Sequence, residues 1–529
     1  MKTDAAFDYI VIGGGTAGCA LASRLSEDRG VTVLLLEAGS RGKKNPKLVI
    51  PAAYPDLFRT EVDWDYATEA QPGLDCRSRY WPRGRVLGGS GAINGMVYVR
   101  GNRRDYDGWE ELGNRGWGYS SVLPYFKRAE DQERGADEYH GAGGPLRVAD
   151  LREVNPISRA FVEACTEVGH PRNVDFNGAE QLGAGFYQVT QRRGRRENSA
   201  TAYLGPALCR RNLKVHTRAQ VTRLIFEGNR AIGVAYLEDG ATRYTRAGRE
   251  VLLCGGSINS PQLLMLSGIG PEDHLKSLGI PILADLPGVG QNLQDHLGVP
   301  LAYQCLQPVS LMEAESLWNL LRFAVFGRGP LTSNLAEAGA FLKSRPDRPT
   351  PNLQFYCAPA YYVDHGFTRP EGHWFTVGAA ILCPDSRGSI TLRSRNPFEA
   401  PAILAGYLQH RADEDTLVEG VRMARRIVQA TAMDAFRGRE AVPGPRVQSE
   451  AEIRAFIRAF VETTYHPVGT CKMGGDGMAV VNDRLEVHGV EGLRVVDGSI
   501  MPTLIGGNTA APILMIAEKA ADIIKSARS

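Results

Sequence analysis

A glycine-rich turn near the start of the chain has the spacing of a dinucleotide-binding site. It runs from Gly13 to Gly18, between an apolar run at 7–12 and a helical pattern at about 17–28. Glycines at this spacing permit a tight turn and let the backbone approach a pyrophosphate, which the helix N-terminus then faces. Glu37 ends the next apolar run, where a carboxylate can accept hydrogen bonds from adenosine ribose hydroxyls. The turn predicts an ADP-containing cofactor, and by itself it fits FAD and NAD equally well.

A second glycine-rich stretch, Gly84–Met96, narrows the choice of cofactor. Its sequence is Gly-Arg-Val-Leu-Gly-Gly-Ser-Gly-Ala-Ile-Asn-Gly-Met. Bare backbone amides in such a stretch can lie against a flat ring or a diphosphate, although a packed turn can have the same composition. The stretch resembles the first signature of the glucose–methanol–choline (GMC) oxidoreductase family, in which Gly-Arg-x-Leu-Gly-Gly-Ser leads into Ile-Asn-Gly-Met-Val-Tyr-x-Arg-Gly.

Further segments carry the same resemblance to the GMC family. Residues 256–270, Gly-Ser-Ile-Asn-Ser-Pro-Gln-Leu-Leu-Met-Leu-Ser-Gly-Ile-Gly, resemble its second signature. The likeness continues through Pro287–His296 and Tyr465–Gly474, and then through Asp497–Ser499 and Gly507–Thr509. Two long independent signatures argue against coincidence, and the resemblance covers essentially the whole chain.

The resemblance implies FAD, and it assigns residues to the cofactor. The first signature of the family lies along the isoalloxazine and the pyrophosphate. The residues that we expect at the cofactor are Gly13, Gly15, Thr16, Ala17, Gly18, Glu37, Ala38, Arg85, Gly88, Ser90, Asn94, Gly95, Val97, Val221, Asp497, Gly498, Asn508 and Thr509. Some relatives bind the flavin covalently through a histidine in this stretch, where this chain has Ala92, Ile93 and Asn94. Non-covalent FAD is therefore predicted.

The resemblance also implies a catalytic pair, His466 and Asn508. Removing a hydride from a carbinol carbon leaves a protonated carbonyl unless the hydroxyl proton departs too, so a neutral imidazole must accept that proton. A hydroxyl pKa of about 15.7 is about nine units above a histidine pKa of about 6.5, and transfer of the proton alone would therefore cost roughly 12 kcal/mol. Proton and hydride should leave nearly together. The Asn508 amide can stabilise the charge that develops on the oxygen. We expect His296 and His488 to have structural or cofactor-edge roles.

Periodicity and resemblance together predict the architecture. The fold class is α/β, with a Rossmann-like FAD-binding domain on a mostly parallel sheet and an inserted α+β substrate domain on an antiparallel sheet. Buried strands at 250–256 and 493–498 should join the first sheet, whereas strands at 353–357, 375–382 and 389–393 and helices at about 412–430 and 449–463 belong to the insertion. The predicted FAD-binding parts are 1–155, 213–300 and 465–529, and the substrate parts are 156–212 and 301–464.

The predicted function is FAD-dependent oxidation of a primary alcohol to the aldehyde, with hydride passing to flavin N5 and electrons to a quinone-type acceptor. Leu331–Glu337 and Pro351–Phe355 are most similar to bacterial aliphatic alcohol dehydrogenases, with choline, sorbose and polyethylene glycol dehydrogenases slightly more distant. Two alternative functions are an oxygen-using alcohol oxidase and a choline or sugar-alcohol dehydrogenase. A non-redox lyase and a flavin photodecarboxylase on the same fold are further alternatives, although His466 argues for alcohol oxidation. Aromatic residues of the insertion are expected to form apolar substrate surface, namely Tyr361, Tyr362, Phe367, Trp374 and Phe375.

Composition limits the partners. Sixty-one basic residues nearly balance 59 acidic ones, so a net charge of +2 gives no basis for nucleic-acid binding. Nine cysteines stand singly, without metal-ligand spacing, so we predict no metal site and a cytoplasmic protein. No export signal is apparent, and no apolar run reaches the ~20 residues of a membrane-spanning helix. Peripheral contact with the inner membrane and the oligomeric state stay open.

Overall fold

The computed structural model describes residues 6–527, which form two seven-stranded sheets with helices packed around them. The α-helices are α1 (Thr16–Leu25), α2 (Arg103–Glu111), α3 (Tyr119–Ala129), α4 (Pro156–Glu167), α5 (Gly205–Ala207), α6 (Gly256–Leu266), α7 (Glu272–Ser277), α8 (Leu317–Phe326), α9 (Arg411–Val428), α10 (Glu450–Phe460) and α11 (Ala510–Ser526).

The strands fall into the two large sheets and several two-stranded pairs. They are β1 (Phe7–Ile12), β2 (Val33–Glu37), β3 (Tyr66–Ala67), β4 (Tyr80–Trp81), β5 (Glu130–Gln132), β6 (Leu146–Val148), β7 (Gly183–Phe186), β8 (Gln191–Arg192), β9 (Arg195–Arg196), β10 (Leu213–Thr217), β11 (Ala219–Glu227), β12 (Arg230–Glu238), β13 (Ala241–Leu253), β14 (Ile269–Gly270), β15 (Ala284–Asp285), β16 (Leu297–Cys305), β17 (Ala338–Leu342), β18 (Leu353–Ala358), β19 (Trp374–Ile381), β20 (Ser389–Thr391), β21 (Ala402–Leu404), β22 (Arg437–Val442), β23 (Glu462–Thr463) and β24 (Leu493–Val495).

The first sheet has the order β10-β2-β1-β13-β12-β11, with β24 also paired to β13. β10, β2, β1, the end of β13 and β24 run parallel, and their aliphatic residues are largely buried, with α1 packed against β1 and β2. β13 is long enough to pair twice, because its first half forms an antiparallel ladder with β12. The prediction that the strands at 250–256 and 493–498 join this sheet is confirmed.

The second sheet is antiparallel throughout, in the order β22-β16-β19-β18-β17-β7, with β23 paired to β16. It contains the strands predicted at 353–357 and 375–382, and α9 packs against its face. The strand predicted at 389–393 is present as β20 but pairs only with β21, outside this sheet. Because β7 and β16 enter the sheet from distant parts of the chain, the insertion is discontinuous, while its exact boundaries stay a prediction.

Two crossings between the sheets place the functional loops. The segment before β16 and the segment after β23 run side by side, with Leu297 opposite Thr463, and the Thr464 amide donates to the His296 carbonyl at 2.9 Å. After the segment that follows β23, the chain rejoins the first sheet at β24 (Leu493–Val495). α11 then begins at Ala510 and packs on α1. Within residues 6–527, no helix is both long and apolar enough to cross a membrane.

Candidate active site

Two glycine-rich loops pack together at the ends of β1 and β2. Gly13 has φ +99°, and a Cβ there would lie 2.5 Å from the Cys254 carbonyl oxygen, so the first loop requires glycine. The second loop is bonded to it through the Gly88 amide, which donates to the Gly14 carbonyl at 2.7 Å. Gly89 completes the contact, because a Cβ on it would meet the Gly15 Cα at 2.7 Å. The two predicted cofactor motifs therefore form one surface.

Glu37 lies at the base of this surface. One carboxylate oxygen accepts from the Gly14 amide and the other from the Gly39 amide, both at 2.7 Å. Burial raises the pKa of Glu37 to about 7, and the two amides oppose that rise. Each oxygen keeps a free lone pair, so the carboxylate can still accept from the hydroxyls of a ribose.

A cavity of about 180 Å³ opens from Glu37 along the two loops. Among its wall residues are Gly13, Gly15, Thr16, Ala17, Glu37, Ala38, Ser90, Val221, Asp497, Gly498 and Thr509. Close backbone approach, a free acidic acceptor and the N-terminus of α1 are the features that a bound ADP group requires. These residues fit a dinucleotide cofactor.

A second cavity of about 230 Å³ adjoins the first. Thr16, Arg83, Ser90, Thr509 and Ile513 form walls of both cavities, so one extended molecule can pass from one to the other. Its other walls include Asn94, Gly95, Val97, His466 and Asn508. The adenosine end of a dinucleotide would therefore lie at Glu37 and its reactive end near His466.

The tautomer of His466 follows from a chain of hydrogen bonds that starts at a carbonyl group. His296 Nε2 lies 3.0 Å from the Leu382 carbonyl, which can only accept, so this nitrogen carries a proton and a neutral His296 accepts at Nδ1. His466 Nδ1 lies 3.0 Å from His296 Nδ1 and therefore donates to it. His466 Nε2 is then the unprotonated nitrogen, and it lies 3.1 Å from Asn508 Nδ2. This chain of bonds aims a basic lone pair at the cavity.

A second chain of hydrogen bonds orients the Asn508 amide. Tyr187 donates its hydroxyl proton to the Phe355 carbonyl at 2.7 Å and accepts from Gln354 Nε2 at 3.1 Å. Gln354 Nε2 also donates to Asn508 Oδ1 at 3.0 Å, which turns Asn508 Nδ2 toward His466. Asn508 Nδ2 lies 3.3 Å from the Tyr356 hydroxyl as well. The two chains of hydrogen bonds agree at the His466–Asn508 contact, so the His466 ring and the Asn508 amide are each oriented by a separate set of partners.

Burial keeps both histidines neutral. Desolvation lowers the pKa of His466 well below its usual value, with His296 and Arg83 adding to the effect. Desolvation likewise lowers the pKa of His296 to about 4. Asp295 Oδ1 accepts from the His466 backbone amide at 2.8 Å, while its other oxygen accepts from Tyr407 and Thr463. A neutral imidazole held at its backbone can accept a proton at neutral pH.

The structure places most of the predicted site residues on the two cavities, and three of them elsewhere. Gly18 packs α1 against the turn, because a Cβ there would lie 1.9 Å from the Gly13 oxygen. The Arg85 guanidinium lies 4.7 Å from the centre of the Trp64 ring, outside both cavities. Gly88 joins the two loops. A direct cofactor contact for Gly18, Arg85 and Gly88 stays a prediction.

Sequence reasoning missed several residues at the reaction end. His296 was expected to be structural or at the cofactor edge, yet its Nδ1 lies 3.0 Å from His466 Nδ1. Gln354 and Tyr356 alternate with core residues along β18 and had no signal of their own. His488 is structural as expected, with Nε2 at 3.0 Å from the Gly474 carbonyl.

Most of the aromatic residues expected at the substrate surface lie outside the cavity. Only Tyr362 of the five lines the cavity. Phe375 stacks on Tyr303, with ring centres 5.3 Å apart, and Trp374 packs edge-on against Tyr361 at 5.4 Å. Residues at strand spacing alternate between the two faces of a sheet, so half of them point away from the cavity.

One group of possible metal ligands occurs in the described part of the chain, formed by Asp364, His365 and Glu462. The Glu462 carboxylate accepts from the backbone amides of Asp364 and His365, at 2.9 and 3.3 Å. His365 Nδ1 lies 2.8 Å from the Tyr465 hydroxyl. These bonds hold the loop beside His466, and we assign the group a structural role.

Comparison with known proteins gives the class. Residues 7–298 and residues 384–517 match the two parts of the GMC oxidoreductase family. The chain belongs to this family.

Two curated relatives match along nearly the whole length. Mitochondrial choline dehydrogenase of Homo sapiens is 46% identical over 539 residues, covering 98% of this chain and 90% of the relative. Alcohol dehydrogenase (acceptor) of Pseudomonas putida is 45% identical over 527 residues, covering 98% and 95%. Among solved structures, pyridoxine 4-oxidase from Mesorbium loti superposes with a TM-score of 0.90 at 36% identity, covering 98% of both chains. A formate oxidase structure gives a TM-score of 0.92 at 26% identity, covering 100% of this chain and 99% of that one.

Proposed function

We propose that this protein oxidises a primary alcohol to the aldehyde with FAD as cofactor and His466 as general base. The observation that carries the proposal is the unprotonated His466 Nε2, which faces the cavity beside Asn508 Nδ2 at 3.1 Å. Similarity to alcohol-acting GMC oxidoreductases over 98% of the chain supports it. FAD, when bound, supplies the hydride acceptor.

The two side chains divide the work on the substrate oxygen. An alcohol hydroxyl that replaces the direct Asn508–His466 contact can donate its proton to His466 Nε2 and accept from Asn508 Nδ2. His466 Nδ1 keeps its proton throughout, because His296 Nδ1 accepts it. The resulting imidazolium is buried, so His466 must release that proton, to solvent or to the electron acceptor, before the next turnover. This arrangement serves a reaction in which proton and hydride leave together.

Non-covalent binding of FAD is supported by the residues around the second glycine-rich stretch. Ile93, Asn94 and Gly95 line the reaction cavity, and none of them can form a covalent bond to a flavin carbon. His466 is the histidine among the residues that line the two cavities, and its Nε2 is engaged with Asn508. Release of intact FAD by heat or acid from the purified holoenzyme is the expected result.

A neutral alcohol with an apolar body fits the cavity best. Its walls include Phe58, Leu335 and Tyr362, which offer apolar surface. The Arg83 guanidinium also lines the cavity, held by the Tyr465 carbonyl at 2.7 Å, and it repels a substrate that carries a positive charge. A primary alcohol without an ionised group avoids this repulsion and also avoids the cost of burying a charge.

Choline is the second candidate, favoured by an aromatic wall. Tyr54, Phe58, Tyr362 and Tyr465 line one side of the cavity, with neighbouring ring centres 5.7 to 6.1 Å apart. Aromatic faces of this kind can bind a quaternary ammonium group. The carboxyl group on this wall, Glu462, has its pKa raised to about 7 by burial. Near neutral pH it is therefore only partly ionised, and it offsets only part of the repulsion between Arg83 and a cationic substrate.

We propose a quinone-type acceptor, supported by the similarity to the P. putida alcohol dehydrogenase (acceptor). Oxygen is the competing acceptor, since a relative from Paraburkholderia phymatum, 46% identical, is named an oxygen-dependent choline dehydrogenase. Nine free thiols in the described chain are compatible with the proposed reducing, cytoplasmic location.

The test is anaerobic stopped-flow absorbance of the holoenzyme mixed with a series of aliphatic primary alcohols, choline, sorbose and polyethylene glycol. Bleaching of the flavin by an aliphatic alcohol, with choline much slower, supports the proposal. Faster bleaching by choline selects the second candidate. Re-oxidation by a soluble quinone or by oxygen then identifies the acceptor. A flavin that none of the alcohols reduces overturns the proposal in favour of a lyase or photoenzyme.

A further inference from the structure

Helix α8 exposes an unusual apolar surface. Six of its large side chains are between 46% and 81% exposed, namely Leu317, Trp318, Leu320, Leu321, Val325 and Phe326. Five of them lie on one broad face of the helix, at helical spacings of one, three and four residues, and Phe326 extends this face at the C-terminal end. Exposed apolar area on the order of several hundred Å² is at the upper limit for a soluble monomer and marks an interaction site.

The helix is well formed, so its orientation is a property of the fold. The Ser316 side chain caps its N-terminus by accepting from the Asn319 amide at 3.2 Å. Gly327 ends it in the left-handed conformation, with its amide bonded to the Phe323 carbonyl at 3.0 Å. Phe323 alone among its large apolar residues is buried, against Ala314 and Leu331. The helix is therefore anchored by one ring while its apolar face points outward.

Basic residues lie around the C-terminal end of α8. Arg328 follows Gly327, which ends the helix, and the backbone of Arg193 packs against Gly327. Arg195 lies over the Phe323 ring at 5.8 Å and donates to the Ala324 carbonyl. Two exposed lysines, Lys43 and Lys44, precede the segment Ile50–Ala52 that packs beneath the helix.

These cations are free of ion pairs. Within residues 6–527, Arg193, Arg195, Arg328, Lys43 and Lys44 have no carboxylate within 4.0 Å. Most acidic groups near the helix have a partner: Glu153 binds Arg322 at 3.0 Å, Asp56 binds Lys47 at 3.0 Å and Glu315 binds Arg369 at 3.2 Å, while Glu313 lies 3.7 Å from His373. Aromatic and aliphatic side chains with unpaired cations at their border are complementary to the headgroups and acyl chains of an anionic bilayer surface.

The same side of the molecule carries a wall of the reaction cavity. Leu311 packs both against the anchor of α8 and against the cluster that contains Tyr54 and Leu335. Tyr54 and Leu335 line the cavity around His466. A partner bound to the exposed face of α8 would therefore lie on the side of the protein that forms this wall of the cavity.

We propose that α8 is a docking element for an anionic phospholipid bilayer, with its apolar face in the headgroup region and Arg193, Arg195 and Arg328 against lipid phosphates. A second copy of the chain is a weaker fit, because a ten-residue helix covers less area than the ~800 Å² per partner of a stable dimer. The inference does not depend on which alcohol is oxidised.

The experiment is flotation of the full-length holoenzyme with phosphatidylcholine vesicles and with vesicles that also contain phosphatidylglycerol. The test variant is Trp318→Glu/Phe326→Glu. The matched control is Val174→Glu/Leu208→Glu, which places the same charges on exposed apolar side chains of other elements. Arg193→Gln/Arg328→Gln tests the cations. Flavin content and flavin reduction by alcohol should be unchanged in all three, because none of these residues lines either cavity.

We expect native protein and the control to float with phosphatidylglycerol vesicles, less so at high salt. The Trp318→Glu/Phe326→Glu variant should bind about tenfold more weakly or not at all, and the arginine variant should lose its preference for phosphatidylglycerol. Failure of the native protein to float, equal binding to both vesicle types, or full binding by the helix variant overturns the proposal. A native dimer in sedimentation velocity that the helix variant dissociates, without vesicle binding, assigns the face to a second copy and also overturns it.

Discussion

The contact between His296 and His466 leads to the sharpest prediction. Replacing His296 by leucine removes the acceptor of the His466 Nδ1 proton, which lies 3.0 Å away in a buried site. Leaving a buried donor without its partner costs about 1–3 kcal/mol, and that cost favours the opposite tautomer, whose Nε2 cannot accept a proton. Thr464 Oγ1, at 3.1 Å, can recover part of the loss. We expect flavin reduction to slow by about tenfold to a hundredfold.

The assay is anaerobic stopped-flow reduction of the flavin at saturating alcohol, with each variant compared at equal FAD content. His296→Asn is the conservative control, because an asparagine Oδ1 can replace the Nδ1 acceptor. It should recover most of the rate. Equal rates in the leucine and asparagine variants, or a leucine variant within twofold of the native rate, would refute the tautomer argument.

Three further substitutions and a pH series on the native protein also test the site. His466→Ala should retain FAD, by visible absorbance, and slow flavin reduction by about 10²–10⁴, the usual contribution of a general base. Asn508→Ala should slow it by about 10², through loss of the donor to the substrate oxygen, measured in the same way. Because only neutral His466 accepts a proton and its pKa lies well below the usual value, the native rate of flavin reduction should be level from neutral to alkaline pH and should fall only in acid, which a pH series would show. Glu37→Gln should weaken FAD binding by about tenfold or more in a fluorescence titration of the apoprotein, since a charged acceptor of two backbone amides is lost.

The sequence predicted the first sheet and its cofactor loops well, for a physical reason. Buried parallel strands are continuous apolar runs, and the turn at Gly13 requires a glycine, so both leave local traces in the residue pattern. Helix ends were less certain: α1 ends at Leu25, three residues before the predicted limit, because its last turn lacks a strong stop signal.

The reaction end could be predicted only in part. His466 and Asn508 were recognisable from motifs, but His296, Gln354 and Tyr356 gain their roles from pairings between distant segments. Gln354 meets Asn508 across 154 positions of the chain, and His296 meets His466 across 170. No local pattern records such a contact.

The site separates chemistry from specificity. His466, the proposed base, and His296 lie on two adjacent segments whose register is fixed by backbone pairing between β16 and β23, so their contact does not depend on the side chains of the substrate pocket. The pocket wall, in contrast, is made of side chains such as Tyr54 and Tyr362, which can change without disturbing that pairing. The fold can therefore keep one reaction while its substrates change, as the names of its relatives, choline dehydrogenase and pyridoxine 4-oxidase, indicate. It follows that substitutions at Tyr54 or Tyr362 should alter KM and the preferred alcohol more than the pH dependence of flavin reduction.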